Sequence, residues 1–179
     1  VAAIIEANGP VEVLIGHSFG GASSVFALSQ LPKKLHPKRM VVMASFSYGF
    51  NAFRAFGKAL GLRPTLFWNL VRRFEARTGY PIEHFDCAVL SGQLEHVAAL
   101  LVHAPADEIT PYYEATRYHT FWPGSRLLSP LEGGHHLGTA GITKQILGFA
   151  TQGVWPAGAE LNERTLEASH ELTWHFAGI

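Results

Sequence analysis

Cysteine is almost absent from this chain. Cys87 is the only one, so no intrachain disulfide can form and nothing demands an oxidising compartment. It reads as a small core residue. Charge is also scarce, at 16% of residues, and it is balanced, with fourteen Lys and Arg against fourteen Asp and Glu. A formal net charge of zero gives no electrostatic reason to expect nucleic acid or an anionic membrane as partner, and a small, neutral or weakly charged molecule fits better. No apolar run approaches the roughly 18 to 20 residues that span a bilayer, and no basic-then-apolar leader opens the chain. A soluble, cytoplasmic protein is expected. The opening Val1-Ala2-Ala3-Ile4-Ile5 lacks an initiator Met and reads as the inside of a helix, so a missing N-terminal part is also expected.

Hydrophobic residues make up 47% of the 179, which excludes a disordered chain and is enough for one domain with a sizeable core. Residues 1–8 read as a helix end closed by Asn8-Gly9-Pro10. Val11-Glu12-Val13-Leu14-Ile15 is short, β-branched and nearly all apolar, the pattern of a strand buried on both faces of a parallel sheet. A helix over 20–31 follows, stopped by Pro32, and then a second strand over 40–44. Further strands are expected over 97–103 and 126–131, with helices from Pro111 to 119 and over 140–151. This alternation predicts an α/β fold with a mostly parallel sheet flanked by helices.

Residues 50–97 interrupt the alternation. Phe53, Phe56 and Leu60 fall at helical spacing, as do Leu66, Leu70 and Phe74 in a segment that Pro64 opens. A helical cap insertion is expected there, with Arg72, Arg73, Glu75 and Arg77 on its solvated face and Phe53, Phe56, Phe67 and Trp68 as candidates to roof a pocket. Residues 1–152 then form the core, and 153–179 a C-terminal tail with helical character around Leu161, Leu166 and Leu172.

Chemistry concentrates at Gly16-His17-Ser18-Phe19-Gly20-Gly21. A Gly-x-Ser-x-Gly string is common by chance, but here a buried strand leads into it and a helix leads out. A sharp turn in that setting strains the serine backbone and exposes its hydroxyl, and the close approach of strand and helix is expected to require small residues at Gly16 and Gly20. The helix beginning after Ser18 points its free N–H groups at the turn, which makes the Phe19 N–H the first candidate donor to an oxyanion.

A serine nucleophile needs a base, and the base needs an orienting carboxylate. Only two aspartates exist, Asp86 and Asp107, and only Asp107 lies just past an expected strand, at the carboxyl edge where α/β sheets place their sites. Asp86 reads as a cap-surface or helix-end residue. Of ten histidines, His135 and His136 lie in the loop after the last expected strand, where Gly133-Gly134 gives freedom to aim an imidazole. His17 and His103 read as packing or hydrogen-bonding residues. The order Ser18, Asp107, then His135 or His136 is nucleophile, acid, base.

These residues resemble the α/β-hydrolase superfamily over about residues 1–152. Gly16 to Gly21 is similar to the nucleophile elbow of its esterase-like members, Leu100-Leu101-Val102-His103 through Asp107 to Pro111 to the acid strand and loop, and Gly134-His135 to the Gly-His that supplies the base. The resemblance implies Ser18, Asp107 and His135 as catalytic residues, since His135 directly follows the glycine, with His136, His17, Phe53 and Trp68 around a pocket. It also implies an upstream half with further strands and a second oxyanion donor, so this chain is expected to be a partial α/β-hydrolase fold that needs a packing partner or its missing segment. The implied reaction is cleavage of an ester or related acyl bond without a cofactor. Acyltransferase, thioesterase or amidase chemistry on the same residues, or an inactive binding module, remain open alternatives. No zinc-binding spacing accompanies His135-His136, and the turn at Gly16 lacks a phosphate-loop lysine, so neither a metal nor a nucleotide is expected.

Overall fold

A computed structural model describes residues 1–162. Among the described residues five strands form one sheet in the order β1-β2-β3-β4-β5, with β1 at Val13–His17, β2 at Arg39–Met43, β3 at Ala98–Val102, β4 at Arg126–Leu128 and β5 at Glu160–Leu161. The first four are parallel neighbours and β5 runs antiparallel to β4. Leu161 therefore lies in a strand, not in the helix expected around it, and Leu166 and Leu172 lie outside the described residues. The helices are α1 (Ala2–Asn8), α2 (Phe19–Gln30), α3 (Gly49–Ala59), α4 (Pro64–Thr78), α5 (Cys87–Ser91), α6 (Tyr113–Phe121) and α7 (Ala140–Gln152). No helix among the described residues is long and apolar enough to cross a membrane.

The two-residue period of β2 and β3 builds a core on each face of the sheet. Met40, Val42, Ala99 and Leu101 point to one side, where they meet Val25 and Leu28 of α2, Cys87 and Ala88 of α5, and Tyr118 and Phe121 of α6. Val41, Leu100 and Val102 point to the other side, against Ile142, Ile146 and Phe149 of α7. Burial pushes the Cys87 thiol up to about 12, as fits a core residue. α5 thus belongs to this core, although it falls inside the segment whose texture suggested an insertion. β1 differs from expectation in two ways. It starts two residues later, and Ile15 is 46% exposed instead of buried on both faces, with β1 standing last in the sheet among the described residues.

The turn from β1 to α2 is set by contact between backbones. A Cβ at Gly16 would stand 2.6 Å from Gly21 Cα and 2.8 Å from the Gly20 carbonyl oxygen, so no side chain fits there. A Cβ at Gly21 would strike Ser45 at 2.7 Å and Val42 at 3.1 Å. The expectation for Gly20 is corrected, since a Cβ there would meet nothing within 4 Å. The helix turns Gly20 away from the sheet and brings Gly21 onto it. Gly16→Ala and Gly21→Ala are expected to lower stability by about 2–3 kcal/mol through overpacking, while Gly20→Ala changes it by less than about 1 kcal/mol. Denaturant unfolding of the three variants checks this, and equal effects at positions 20 and 21 would contradict it.

Candidate active site

Three loops meet at the carboxyl edge of the sheet. The turn after β1 presents Ser18, the loop after β3 presents Asp107 and the loop after β4 presents His135. Ser18 Oγ lies 3.1 Å from His135 Nε2, and His135 Nδ1 lies 2.9 Å from Asp107 Oδ2 and 3.2 Å from Oδ1. An ionised carboxylate only accepts, so Nδ1 carries the proton and Nε2 offers its lone pair to the Ser18 hydroxyl. Ser18 itself holds φ 52° and ψ −126°, a backbone region that costs a non-glycine residue energy. Its N–H donates to the Met43 carbonyl at 2.8 Å, which fastens the strained residue to β2.

Asp107 is locked from below. Its Oδ1 accepts from the N–H groups of Ile109 (2.8 Å) and Thr110 (2.9 Å), closing a local turn. Burial alone would raise its carboxyl, but the Thr110 N–H, His135 and the Ile109 N–H together outweigh burial and hold it below its ordinary value. His103, 1% exposed, donates from Nε2 to the Thr110 carbonyl at 2.8 Å, with Asp107 Oδ2 3.3 Å from the same nitrogen. Burial lowers the His103 pKa despite the opposing pull of the Thr110 carbonyl and Asp107. A neutral His103 thereby braces the loop that carries Asp107.

The His135 loop is braced as well. Gly133 and Gly134 take φ of 92° and 48°, and Leu137, at φ 51°, returns its N–H to the Gly133 carbonyl at 2.9 Å. Leu137 is buried with Ile142 and Phe149, and that burial anchors the turn. From the opposite side His17 donates its Nε2 proton to the His135 carbonyl at 2.8 Å, with the two rings 5.0 Å apart. His17 thus positions His135 instead of lining a cavity.

A cleft of about 940 Å³ opens beside these residues, between the α3–α4 pair and the start of α2 with the loops after β2 and β3. Phe19, Phe46, Phe53, Phe56, Leu70 and Ile109 give it an apolar wall, with Lys58 and Glu108 as its charged lining. Phe53 lies where the sequence suggested. Trp68 does not, because α4 turns it outward against Phe50 and Phe67, where it is 49% exposed. His136 is exposed, with its ring 6.1 Å from that of His135, and does not line the cleft. Asp86 accepts from the Val89 N–H at the start of α5 and pairs with Arg117 at 2.8 Å. Sequence reasoning missed the parts played by Gly21, Thr110 and Leu137. Only Gly21 carried a signal, as the second glycine of its pair.

No protein-family model and no curated protein matches this chain. Solved structures do. The esterase domain of a Rhodothermus marinus protein superposes with a TM-score of 0.56 at 20% identity, over 82% of this chain and 61% of that one. An esterase from Exiguobacterium antarcticum gives 0.56 at 14% identity over 83% and 70%. The mouse alpha/beta hydrolase domain-containing protein 10 gives 0.51 at 14% over 81% and 63%. The chain therefore has the α/β-hydrolase fold and spans about three fifths of the Rhodothermus domain.

The two shifted groups of the site, Asp107 and His103, affect stability in different windows. Asp107 contributes above its ordinary 3.8, and that contribution is lost as pH falls through its lower folded value. His103 is held below its ordinary 6.5, so the unfolded chain takes up the extra proton as pH falls under 6.5 and stability declines from there down to the folded value. His103→Gln, which can keep a donor for the Thr110 carbonyl, is expected to make the decline in unfolding midpoint between about pH 6.5 and 5 shallower. A slope equal to that of the wild type would contradict the assignment.

Proposed function

We propose that this chain is the catalytic part of a serine hydrolase that cleaves an ester or related acyl bond of a small, partly apolar substrate. The observation that carries the reading is the 3.1 Å contact of Ser18 Oγ with a His135 Nε2 whose tautomer is set by Asp107. In this reading Ser18 Oγ attacks the carbonyl carbon while His135 Nε2 takes its proton. Asp107 holds the imidazole and stabilises the imidazolium that forms. The carbonyl oxygen becomes an oxyanion and the Phe19 N–H, at the start of α2, is its donor. One such donor is worth about 3 kcal/mol of transition-state stabilisation. His135 then returns the proton to the leaving oxygen, the C–O bond breaks, and an acyl-Ser18 ester remains. Water, deprotonated by the same nitrogen, attacks that ester and restores the serine.

The apolar cleft supports an acyl or alcohol group with a hydrocarbon part. The fold likeness to two proteins described as esterases agrees with the reading. The partner is then a small-molecule substrate.

Hydrolysis of p-nitrophenyl esters of increasing acyl length tests it. Ser18→Ala and His135→Ala are expected to lower kcat by at least about 10³-fold, and Asp107→Asn by about 10³ to 10⁴-fold, with KM little changed. Thermal unfolding shows whether each variant remains folded. A folded Ser18→Ala variant with wild-type activity would refute the proposal.

A further inference from the structure

The α3–α4 pair differs in charge from the rest of the molecule. Residues 49–78 carry six basic residues, Arg54, Lys58, Arg63, Arg72, Arg73 and Arg77, against one acidic residue, Glu75. The remainder of the chain holds eight basic and thirteen acidic residues, so a formal zero is made of +5 and −5. All six basic residues are exposed, Lys58 at the cleft and Arg72 and Arg73 beside the apolar side chains between the two helices. Large apolar side chains stand among them, with Phe56 54%, Leu60 57%, Leu66 49% and Trp68 49% exposed.

A groove of about 830 Å³ between α3 and α4 is lined by Phe56, Leu60, Leu66 and Leu70 together with Arg72 and Arg73. Arg72 also borders an adjoining depression with Trp68. Phe56 and Leu70 line this groove and the cleft beside Ser18 alike, so apolar surface runs from the outside of the insert to the site.

Exposed aromatic and aliphatic groups interleaved with arginines are the chemistry of an anionic lipid surface, where apolar groups enter the headgroup boundary and cations meet phosphates. We propose that this face docks on such a surface, seating Phe56, Leu60, Leu66 and Trp68 among the headgroups. The described residues outside 49–78 carry seven basic against ten acidic residues, an opposite charge that would orient the molecule with the insert towards the lipid. A second copy of the chain would set +5 against +5 if the same faces met. Docking does not depend on the hydrolase reading. If that reading holds, a lipid-derived ester reaches Ser18 past Phe56 and Leu70.

Sedimentation of the purified chain with phosphatidylcholine vesicles, with and without phosphatidylglycerol, tests the proposal without any activity readout. Binding is expected to be at least about tenfold stronger to the anionic vesicles and to weaken as salt is raised. Arg72→Glu/Arg73→Glu is expected to reduce it about tenfold, and Leu66→Ser/Trp68→Ala to weaken it at constant charge. The charge reversal should leave the unfolding temperature unchanged, and Leu66→Ser/Trp68→Ala should lower it modestly, since Trp68 packs on Phe50 and Phe67, with both variants folded at the assay temperature. Equal partition to both vesicle types, or undiminished binding by either variant, would overturn the proposal. A dimer in light scattering that the charge reversal dissolves would assign the face to a second copy instead.

Discussion

The approach of α2 to β1, close enough that Gly16 and Gly21 touch backbone to backbone, is the constraint on which the rest of the site depends. Strand and helix cannot be joined at that distance by a relaxed turn, and the residue between them is forced to φ 52°. The strain falls on Ser18 and lifts its hydroxyl clear of the sheet edge. The same geometry leaves the first N–H groups of α2 facing the turn. The strained turn is held by β2, through the bond from the Ser18 N–H to Met43 and through Ser45 packed on Gly21.

What faces Ser18 is braced with equal care. Asp107 is fixed by the two N–H groups of its own loop, and His103 fixes that loop through Thr110. His17 ties the backbone at His135 to the serine turn. The insert over the cleft is held at both ends by α6. Fully buried Glu114 accepts from the Ser47 N–H and Asn51, each at 2.8 Å, and from the Ser47 hydroxyl. Arg117 reaches Ser47 Oγ at 2.9 Å and Asp86 at 2.8 Å. A buried carboxylate satisfied in this way resists displacement, because breaking any one bond strands a polar group away from water. One helix of the body thus sets where α3, and with it Phe53 and Phe56, stands above the site.

The four parallel strands, the flanking helices and the order Ser18, Asp107, His135 were legible because hydrophobic periodicity and glycine-bearing turns act locally. The parts that escaped depend on packing between distant segments. Nothing near Gly20 reveals that the helix turns it outward while Gly21 meets Ser45, twenty-four residues away. Trp68 shares the composition of the cleft-lining phenylalanines, but the rotation of α4 about its axis puts it outside. Glu114 looks like an ordinary helix-surface acid until the insert folds down on it. Leu161 sits in a polar stretch with no strand pattern, and only β4 gives it one. The zero net charge is a sum that hides an uneven distribution, +5 over residues 49–78 and −5 over the rest.

In the proposed reaction the strained turn makes Ser18 the nucleophile and its partners activate it. The most direct measurement is peptide mapping by mass spectrometry after reaction with a fluorophosphonate. The account predicts a single phosphonylated serine in the peptide containing Ser18, with labelling slowed severely by His135→Ala. An adduct at another residue, or none on folded protein that still hydrolyses esters, would contradict it.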